Sequence, residues 1–232
     1  MKSLLKSAKR AIKGLSGSLP YATKSYSQEG EDLVLNRVFG GRRRGFYVEV
    51  GCHHPFRFSN TFLFYRIGWS GICIDPLPGT AALFKKWRSR DICIERGISS
   101  RPSTLNYFMF NEPALNTFDE SIARSRDGLQ GYRIIGSRKI ETISLAEAIE
   151  QNIARAGSTL IDFFSIDVEG LDLQVLESNN WDKFRPAMIV AECLDLAFKD
   201  LGMDPVAEFL SDKGYVIYAK TGHSVIFKAA SN

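Results

Sequence analysis

The stretch Gly45-Phe-Tyr-Val-Glu-Val-Gly-Cys-His-His-Pro55 decides the fold, because a short apolar strand runs into a glycine and then into a polar turn. This pattern is typical of the first strand and turn of an α/β nucleotide-type site. In open parallel sheets, ligands bind beyond the carboxyl ends of the strands. We therefore expect Glu49, Gly51, His53 and His54 to lie where the first strand ends.

A second acid supports a ligand site at this edge. The apolar run before Asp75 predicts another strand, and Asp75 follows the glycine turn at about the 20-residue spacing expected of a ribose-binding carboxylate. Only Gly51 remains of the G-x-G-x-x-G pattern, whereas a pyrophosphate needs a second glycine for close backbone approach. S-adenosylmethionine has a ribose diol and a sulfonium but no phosphate, so it suits this edge better than NAD. Gly51 alone is equally typical of an ordinary buried strand and turn.

Length and composition predict one large α/β domain. The chain has 232 residues, of which 44% are hydrophobic and 24% charged, as in globular proteins with a single core. The net charge of +4 comes largely from the N-terminal tail and from Arg42-Arg-Arg44, so we expect no nucleic-acid partner. No apolar run approaches the roughly 20 residues of a membrane span.

The four cysteines contain no C-x-x-C pair and no zinc-ligand spacing. Cys73 and Cys93 fall in predicted strands, where a free cysteine behaves as a small apolar residue. A reducing cytoplasm is the expected compartment. Cys52 neighbours Gly51 and is a candidate for the ligand site.

Residues 1–25 are expected to form a basic tail before the domain. Met1 to Ser18 alternates lysine and arginine with apolar residues, which predicts an amphipathic helix able to lie on an anionic membrane surface. A solvated helix or loose terminus fits the pattern equally well. The tail lacks the continuous apolar core of a signal peptide, so we expect a cytoplasmic protein, with peripheral contact to the inner face of the membrane as one alternative.

Residues 26–232 are expected to alternate strands and helices in one domain. The predicted helices cover Tyr26–Phe39, Ser59 or Asn60 to Tyr65, Pro78–Trp87 and Ser144–Ala156, the last with a capping box. The predicted strands after the first cover Gly71–Asp75, Asp91–Glu95, Thr104–Phe110, Lys139–Thr142 and Pro186–Glu192, followed by a closing hairpin of Tyr215–Ala219 and Ser224–Lys228. The long polar segment 111–137 is interpreted as a substrate lid containing Asn116, with disorder as the alternative.

Three further acids are expected at the carboxyl-terminal edge of the sheet. The run Ile161-Asp-Phe-Phe-Ser-Ile-Asp-Val-Glu-Gly170 delivers Asp167 and Glu169 to the end of one strand, and Glu192 ends the next. Converging carboxylates repel one another unless a cation or proton is present, and Mg²⁺ or Mn²⁺ prefers oxygen ligands. We therefore predict that Asp167 and Glu192 bind a divalent ion. The alternative is that either acid caps a loop or holds an arginine.

Taken together, these motifs resemble the FkbM family of S-adenosylmethionine-dependent methyltransferases. The residues that carry the resemblance are Tyr26-Ser-Gln-Glu-Gly-Glu-Asp32, Phe46-Tyr-Val-Glu-Val-Gly51, Ser59-Asn-Thr61, Gly68-Trp-Ser-Gly71, Ile74-Asp75, Asn116-Thr-Phe118, Ser165-Ile-Asp-Val-Glu-Gly170 and Arg185-Pro186. They run in family order from Tyr26 to the C-terminus. His53-His-Pro55 departs from the small or acidic residue and glycine that many relatives carry there.

The resemblance implies a Rossmann-like class I methyltransferase fold. This α/β fold is a seven-stranded, mostly parallel sheet with helices on both faces and an antiparallel last strand. The implied reaction is methyl transfer to a hydroxyl of a sugar, glycan precursor or other small natural product, as in bacterial surface-polysaccharide modification. Two alternatives stay open: a nicotinamide-dependent oxidoreductase, and a non-catalytic, membrane-associated glycan-binding protein.

The predicted site residues fall into four groups. The expected S-adenosylmethionine contacts are Glu49, Gly51, Cys52, Ser59, Asn60, Asp75, Pro76, Gly97, Ile98, Ser99 and Asp167. The candidate catalytic residues are His53, His54 and Asp167, since a neutral histidine can accept the hydroxyl proton. The acceptor is expected to contact Asn116 and Glu169, and the divalent ion Asp167 and Glu192.

Overall fold

The computed structural model describes residues 22–193 and 202–230. The predicted amphipathic segment 1–18 therefore lies outside the described residues. The helices are α1 Glu31–Val38, α2 Phe62–Ile67, α3 Thr80–Trp87, α4 Glu120–Arg126, α5 Leu145–Ile153, α6 Asp172–Glu177 and α7 Pro205–Asp212. The strands are β1 Phe46–Val50, β2 Ser70–Ile74, β3 Ile92–Ile94, β4 Gly97–Ile98, β5 Ser103–Phe110, β6 Ile134–Ile143, β7 Phe163–Ile166, β8 Met188–Glu192, β9 Tyr215–Lys220 and β10 Ser224–Ala229.

Seven strands form the main sheet in the order β3-β2-β1-β7-β8-β10-β9. The pairs from β3 to β8 are all parallel, whereas β10 runs antiparallel to both β8 and β9. The strand order reverses between β1 and β7, and ligands bind at such a switch point in open α/β sheets. The seven-stranded, mostly parallel sheet with an antiparallel last strand that the resemblance implies is confirmed.

Two apolar layers cover the two faces of this sheet. Side chains of β1 alternate between them: Val48 packs in the layer that contains α5, α6 and α7, and Tyr47 packs in the layer beneath α1, α2 and α3. This alternation follows from the period of two along a strand. Helices therefore lie on both faces, and the carboxyl ends of β1, β2, β7 and β8 are left open at one edge.

A second, three-stranded sheet in the order β4-β6-β5 lies beside the main one. Strands β5 and β6 pair antiparallel from Ser103 opposite Thr142 to Phe110 opposite Ile134. The sequence predicts both strands but begins the second at Lys139, because residues 134–138 lack a clear alternation and owe their strand conformation to pairing with β5. Residues 134–137 therefore belong to β6, and only 111–133 form the connection. That this connection works as a lid stays a prediction.

The first helix is shorter than predicted. It begins at Glu31, after Gly30 with φ 93°, instead of at Tyr26. The Asp32 carboxylate accepts hydrogen bonds from the Tyr26 amide (2.8 Å) and from the Ser25 and Ser27 hydroxyls (2.7 and 3.0 Å), which holds the preceding residues in a turn. The Ser144 cap on the Glu147 amide and the β9–β10 hairpin are both present as predicted.

Candidate functional site

A cleft with about 780 Å³ of free volume, including the solvent at its mouth, opens at the carboxyl ends of β1, β2 and β7. Twelve of its lining residues come from the main sheet and the turns that follow its strands: Val50, Gly51, His53, Phe58, Ile74, Asp75, Pro76, Arg96, Asp167, Val168, Glu169 and Leu171. Gly51 has φ +79°, and a β-carbon there would lie 1.7 Å from the Asp167 carbonyl oxygen. Only glycine therefore allows the turn after β1 to pack against the end of β7.

Asp75 is held rigidly at the end of β2. Its carboxylate accepts hydrogen bonds from the backbone amides of His53 (2.7 Å) and Leu77 (2.8 Å), and only 5% of the residue is exposed. Burial raises the pKa of Asp75 to about 6, although both amides oppose this shift. A carboxylate has about four acceptor positions, so its remaining lone pairs can serve a ligand in the cleft.

The second sheet supplies the opposite wall. Ile98, Tyr107 and Asn116 all line the cleft. The Asn116 side-chain oxygen accepts the Phe110 amide at 2.7 Å, which fixes the amide plane. Its Nδ2 is buried and has no hydrogen-bond partner among the described residues. Since buried polar groups are normally satisfied, this donor can serve an acceptor on a ligand in the cleft or the neighbouring Tyr107 hydroxyl.

Backbone strain is concentrated around the cleft. Four described non-glycine residues have positive φ, and three of them, His53 (46°), Phe58 (56°) and Glu169 (55°), line it. Such conformations cost about 1–3 kcal/mol each and persist where the surrounding structure fixes them, often at functional sites. Two different turns, after β1 and after β7, therefore both place strained backbone at the cleft.

Three carboxylates converge where β7 and β8 end. One oxygen from each of Asp167, Glu169 and Glu192 lies within 4.8 Å of the others. Burial, followed by repulsion from Asp167, raises the pKa of Glu192 to about 10, and burial likewise raises the pKa of Asp167 well above its usual range. Arg126 Nη1 lies 2.6 Å from Glu169 Oε2 and offsets part of the negative charge. The cluster thus has the donor set of a divalent-ion site.

The two histidines have different surroundings. His53 lines the cleft, and burial, followed by the nearby Arg57 cation, lowers its pKa to about 4, so the imidazole is neutral at pH 7. His54 does not line the cleft. Its Nδ1 lies 3.3 and 3.2 Å from the amides of Phe56 and Arg57 and orders the turn. Of the two, the geometry leaves His53 in a position to meet a ligand.

Glu49 lies outside the cleft lining. The Thr61 hydroxyl donates to its Oε2 at 2.6 Å, and Arg88 Nη1 lies 3.7 Å from the same oxygen. Burial raises the pKa of Glu49, and Arg88 opposes that shift. Glu49 thus belongs to a buried polar network beneath α2 and α3, which no sequence pattern predicts.

Five other predicted cofactor residues also lie outside the cleft lining: Cys52, Ser59, Asn60, Gly97 and Ser99. Ser59 and Asn60 order the turn before α2, through a bond from the Phe62 amide to Ser59 Oγ (3.1 Å) and one from Asn60 Nδ2 to Ser165 Oγ (3.0 Å). Gly97 is packed against Phe118, whose ring would lie 2.7 Å from an added β-carbon. Gly51, Asp75, Pro76, Ile98 and Asp167 do line the cleft, as do Asn116 and Glu169.

Arg88 is the centre of this buried polar network. Its guanidinium is fully buried and donates to Asp91 (2.7 Å), the Tyr47 hydroxyl (2.9 Å) and Thr61 (2.7 Å). It also donates to the Pro55 carbonyl at 3.1 Å, in the turn that contains both histidines. One side chain therefore links β1, the histidine turn and the start of β3.

Arg88→Met is expected to destabilise the fold by about 3–5 kcal/mol, because it leaves the carboxylates of Asp91 and Glu49 buried without their cation. The free energy of unfolding, measured by urea titration, checks this. Arg101→Met, at an exposed arginine, is the matched control and should change stability by less than about 0.5 kcal/mol. Equal stability of the two variants would show that the network contributes little.

Comparison with known proteins gives a family assignment. The family model described as the methyltransferase FkbM domain matches residues 49–217. No curated protein shows significant sequence similarity to the chain. The match begins in β1 and ends in β9, so it contains the acid cluster, the whole second sheet and every residue that lines the cleft except Gln28.

Several solved structures are similar over nearly the whole chain. A TehB-like SAM-dependent methyltransferase from Corynebacterium glutamicum is 10% identical, with a TM-score of 0.42, over 99% of this chain and 98% of that one. An O-methyltransferase from Bacillus cereus in complex with SAH is 12% identical, with a TM-score of 0.43, over 99% and 91%. A putative RNA methyltransferase from Pyrococcus horikoshii is 10% identical, with a TM-score of 0.44, over 97% and 96%. These likenesses are too remote to bear on substrate.

The family match rests on much more of the chain than any single motif does. It includes Glu49 in β1, Asp75 after β2 and the three clustered acids Asp167, Glu169 and Glu192. Because it covers well over half of the 232 residues, the protein belongs to the FkbM methyltransferase domain family, a family of S-adenosylmethionine-dependent methyltransferases.

Proposed function

We propose that the protein transfers the methyl group of S-adenosylmethionine to a hydroxyl of a sugar, glycan precursor or other small natural product, assisted by a divalent ion. The observation that carries this proposal is the convergence of Asp167, Glu169 and Glu192 within 4.8 Å beside the cleft. Family membership favours S-adenosylmethionine over the nicotinamide cofactor considered from the sequence.

The residues of the cleft fit the proposed cofactor. Asp75 would accept hydrogen bonds from the ribose hydroxyls with its free lone pairs, while Ile98 and Pro76 offer apolar surface to the adenine. The unpartnered Asn116 Nδ2 donor matches a ligand rich in acceptor atoms. Gly51 and the backbone around Asp167 would face the methionine part, since both lie at the junction of β1 and β7.

The acid cluster fits Mg²⁺ or Mn²⁺, because these ions take carboxylate oxygens. An ion bound there supplies a Lewis acid that lowers the pKa of a bound hydroxyl. Glu169 and Asn116 would orient the acceptor from two sides of the cleft, and alignment is a large part of the rate gain in a displacement reaction. The neutral His53 imidazole would receive the hydroxyl proton.

Binding of S-adenosylhomocysteine is expected to weaken as the pH falls from 7 to 5. Burial raises the pKa of Asp75 to about 6, so acidification protonates the carboxyl and removes the charge that strengthens its hydrogen bonds to the ribose. We expect about a tenfold higher Kd at pH 5 than at pH 7. Calorimetric titration at several pH values measures this, and Asp75→Asn should bind weakly with a flat profile. If the Kd of Asp75→Asn depended on pH as strongly as that of the parent chain, Asp75 would not be the group whose protonation weakens binding.

Calorimetry also tests the function class. The protein is titrated with S-adenosylhomocysteine and with NAD under the same conditions. Binding of the first and not the second is the expected result. Preference for NAD would favour an oxidoreductase, and binding of neither would favour the non-catalytic glycan-binding alternative.

A further inference from the structure

A continuous row of aromatic side chains crosses the surface formed by α2 and α3. Ring centroids lie 4.8 Å apart for Tyr26 and Phe62, 5.8 Å for Phe62 and Phe56, and 5.9 Å for Phe56 and Trp87. Trp87 is 51% exposed and Phe56 40%. Tyr26 and Phe62 are half-buried, so Phe56 and Trp87 form the exposed part of the row. Exposed apolar side chains grouped in this way are a mark of interaction sites. Phe56 also contacts the His54 ring, at 4.5 Å, so the row reaches the turn at the mouth of the cleft.

Four cations surround this row. Lys24 and Arg66 lie over the ring of Tyr26, at 4.9 and 5.5 Å, and Lys86 lies over Trp87 at 5.3 Å. Arg90 lies 3.8 Å from the ring of Tyr65, which stacks on Phe62. All four cations are exposed, and among residues 22–193 and 202–230 none forms an ion pair. We call the row and these cations the aromatic–basic face.

The arrangement of the rings favours a phosphate-bearing surface over a neutral sugar. Stacking of a sugar needs an open aromatic plane, whereas cations cover Tyr26 and Trp87, and Phe56 meets Trp87 edge-on at 86°. Tryptophan and tyrosine next to lysine and arginine are typical of the membrane–water interface, and here Trp87 is exposed while Tyr26 and Tyr65 are half-buried. Long basic side chains can keep their charges at the lipid headgroups while their stems cover apolar surface.

We propose that the aromatic–basic face docks on an anionic phospholipid surface and so brings the cleft mouth to the bilayer. The charge of the face complements such a surface, since each lysine or arginine close to anionic lipid adds attraction. Lys24 also follows closely after residues 1–21 in the sequence, and that segment carries Lys2, Lys6, Lys9, Arg10 and Lys13. Face and tail together provide the two signals that stable peripheral binding needs. This docking goes beyond the proposed methyl transfer and does not depend on it.

None of the helices in the described part of the chain is long and apolar enough to cross a membrane. The proposed contact is therefore peripheral. It would be lost at high salt, because counterions screen exposed charges over about 10 Å at 0.1 M.

The test is co-sedimentation of the full-length protein with vesicles of phosphatidylcholine, with or without phosphatidylserine. Two double variants change the face. One combines Lys86→Glu with Arg90→Glu and reverses two charges. The other combines Phe56→Ser with Trp87→Ser and removes the two exposed rings. Their matched controls, Lys213→Glu with Lys228→Glu and Val216→Ser with Tyr218→Ser, lie at the opposite edge of the main sheet, at α7, β9 and β10. Far-ultraviolet circular dichroism and thermal unfolding verify that each variant is folded.

We expect both face variants to partition at least about tenfold less onto phosphatidylserine vesicles, and both controls to behave as the parent chain. Equal sedimentation of face and control variants would overturn the proposal. So would a full-length variant with Lys6→Glu and Lys9→Glu that loses all binding while the face variants lose none, because the tail alone would then be the anchor. Loss of binding to dextran sulfate but not to vesicles would assign the face to an anionic glycan instead.

Discussion

Asp167→Asn is expected to lower turnover at least about hundredfold. Asp167 directly follows β7, and one of its carboxylate oxygens lies within 4.8 Å of oxygens of Glu169 and Glu192. Removing its charge would weaken binding of the divalent ion that we propose activates the acceptor. A metal ion supplies several kcal/mol of stabilisation in a transition state, and 1.36 kcal/mol corresponds to a factor of ten. The measurement is the initial rate of methyl transfer at saturating S-adenosylmethionine.

The control for this prediction is Asp182→Asn, at an exposed aspartate outside the cleft, which should retain the parent rate. Glu192→Gln should resemble Asp167→Asn, and exhaustive chelation of the parent chain should reproduce the loss until Mg²⁺ or Mn²⁺ is added back. If the chelated enzyme keeps its full rate, the acids act without an ion. A loss in Asp167→Asn would then reflect a structural role.

Asp75→Ala is expected to weaken binding of S-adenosylhomocysteine by at least about tenfold. The residue is 5% exposed and oriented by two backbone amides, so its carboxylate is preorganised for the ribose hydroxyls. Hydrogen bonds to charged groups contribute about 1.5–3 kcal/mol each, and 1.4 kcal/mol is a factor of ten in Kd. Calorimetry gives the affinity directly, with Asp182→Ala as control. Unchanged affinity in folded Asp75→Ala would place the ribose elsewhere.

The main sheet could be predicted from the sequence because its determinants are local. The strand that ends in Asp75 and the Ser144–Glu147 cap are short patterns whose physical meaning does not depend on distant residues. The second sheet could not be predicted in full, because β6 has no clear alternation and gains its conformation from pairing with β5. The start of α1 was missed because the Asp32 carboxylate holds the preceding turn.

The site was predictable to a lesser extent. Acids that end parallel strands converge because the sheet brings their carboxyl ends together, which is why Asp167, Glu169 and Glu192 were foreseen. The role of Arg88 was not, since its partners lie up to 41 residues away in sequence and no motif marks a buried arginine. Sequence patterns also do not identify Tyr107 as a cleft residue. It reaches the cleft only because the second sheet packs there.

The placement of Glu49 shows where pattern reasoning is weakest. A period of two along β1 predicts that Glu49 and Tyr47 point to the same face, and that face is the buried layer under α2 and α3 rather than the cleft. Glu49 thus satisfies Thr61 and faces Arg88. Glu49 therefore stabilises the buried network, whereas Gly51, two residues later, lines the cleft.

The most direct test of metal-assisted O-methyl transfer follows a labelled methyl group. The protein is incubated with methyl-labelled S-adenosylmethionine and a panel of sugars, glycan precursors and amines, with and without chelator, and mass spectrometry locates the label on each product. We predict label on a hydroxyl oxygen, formed only when a divalent ion is present. Label on nitrogen or carbon, or the same yield of O-methyl product in chelator, would contradict it.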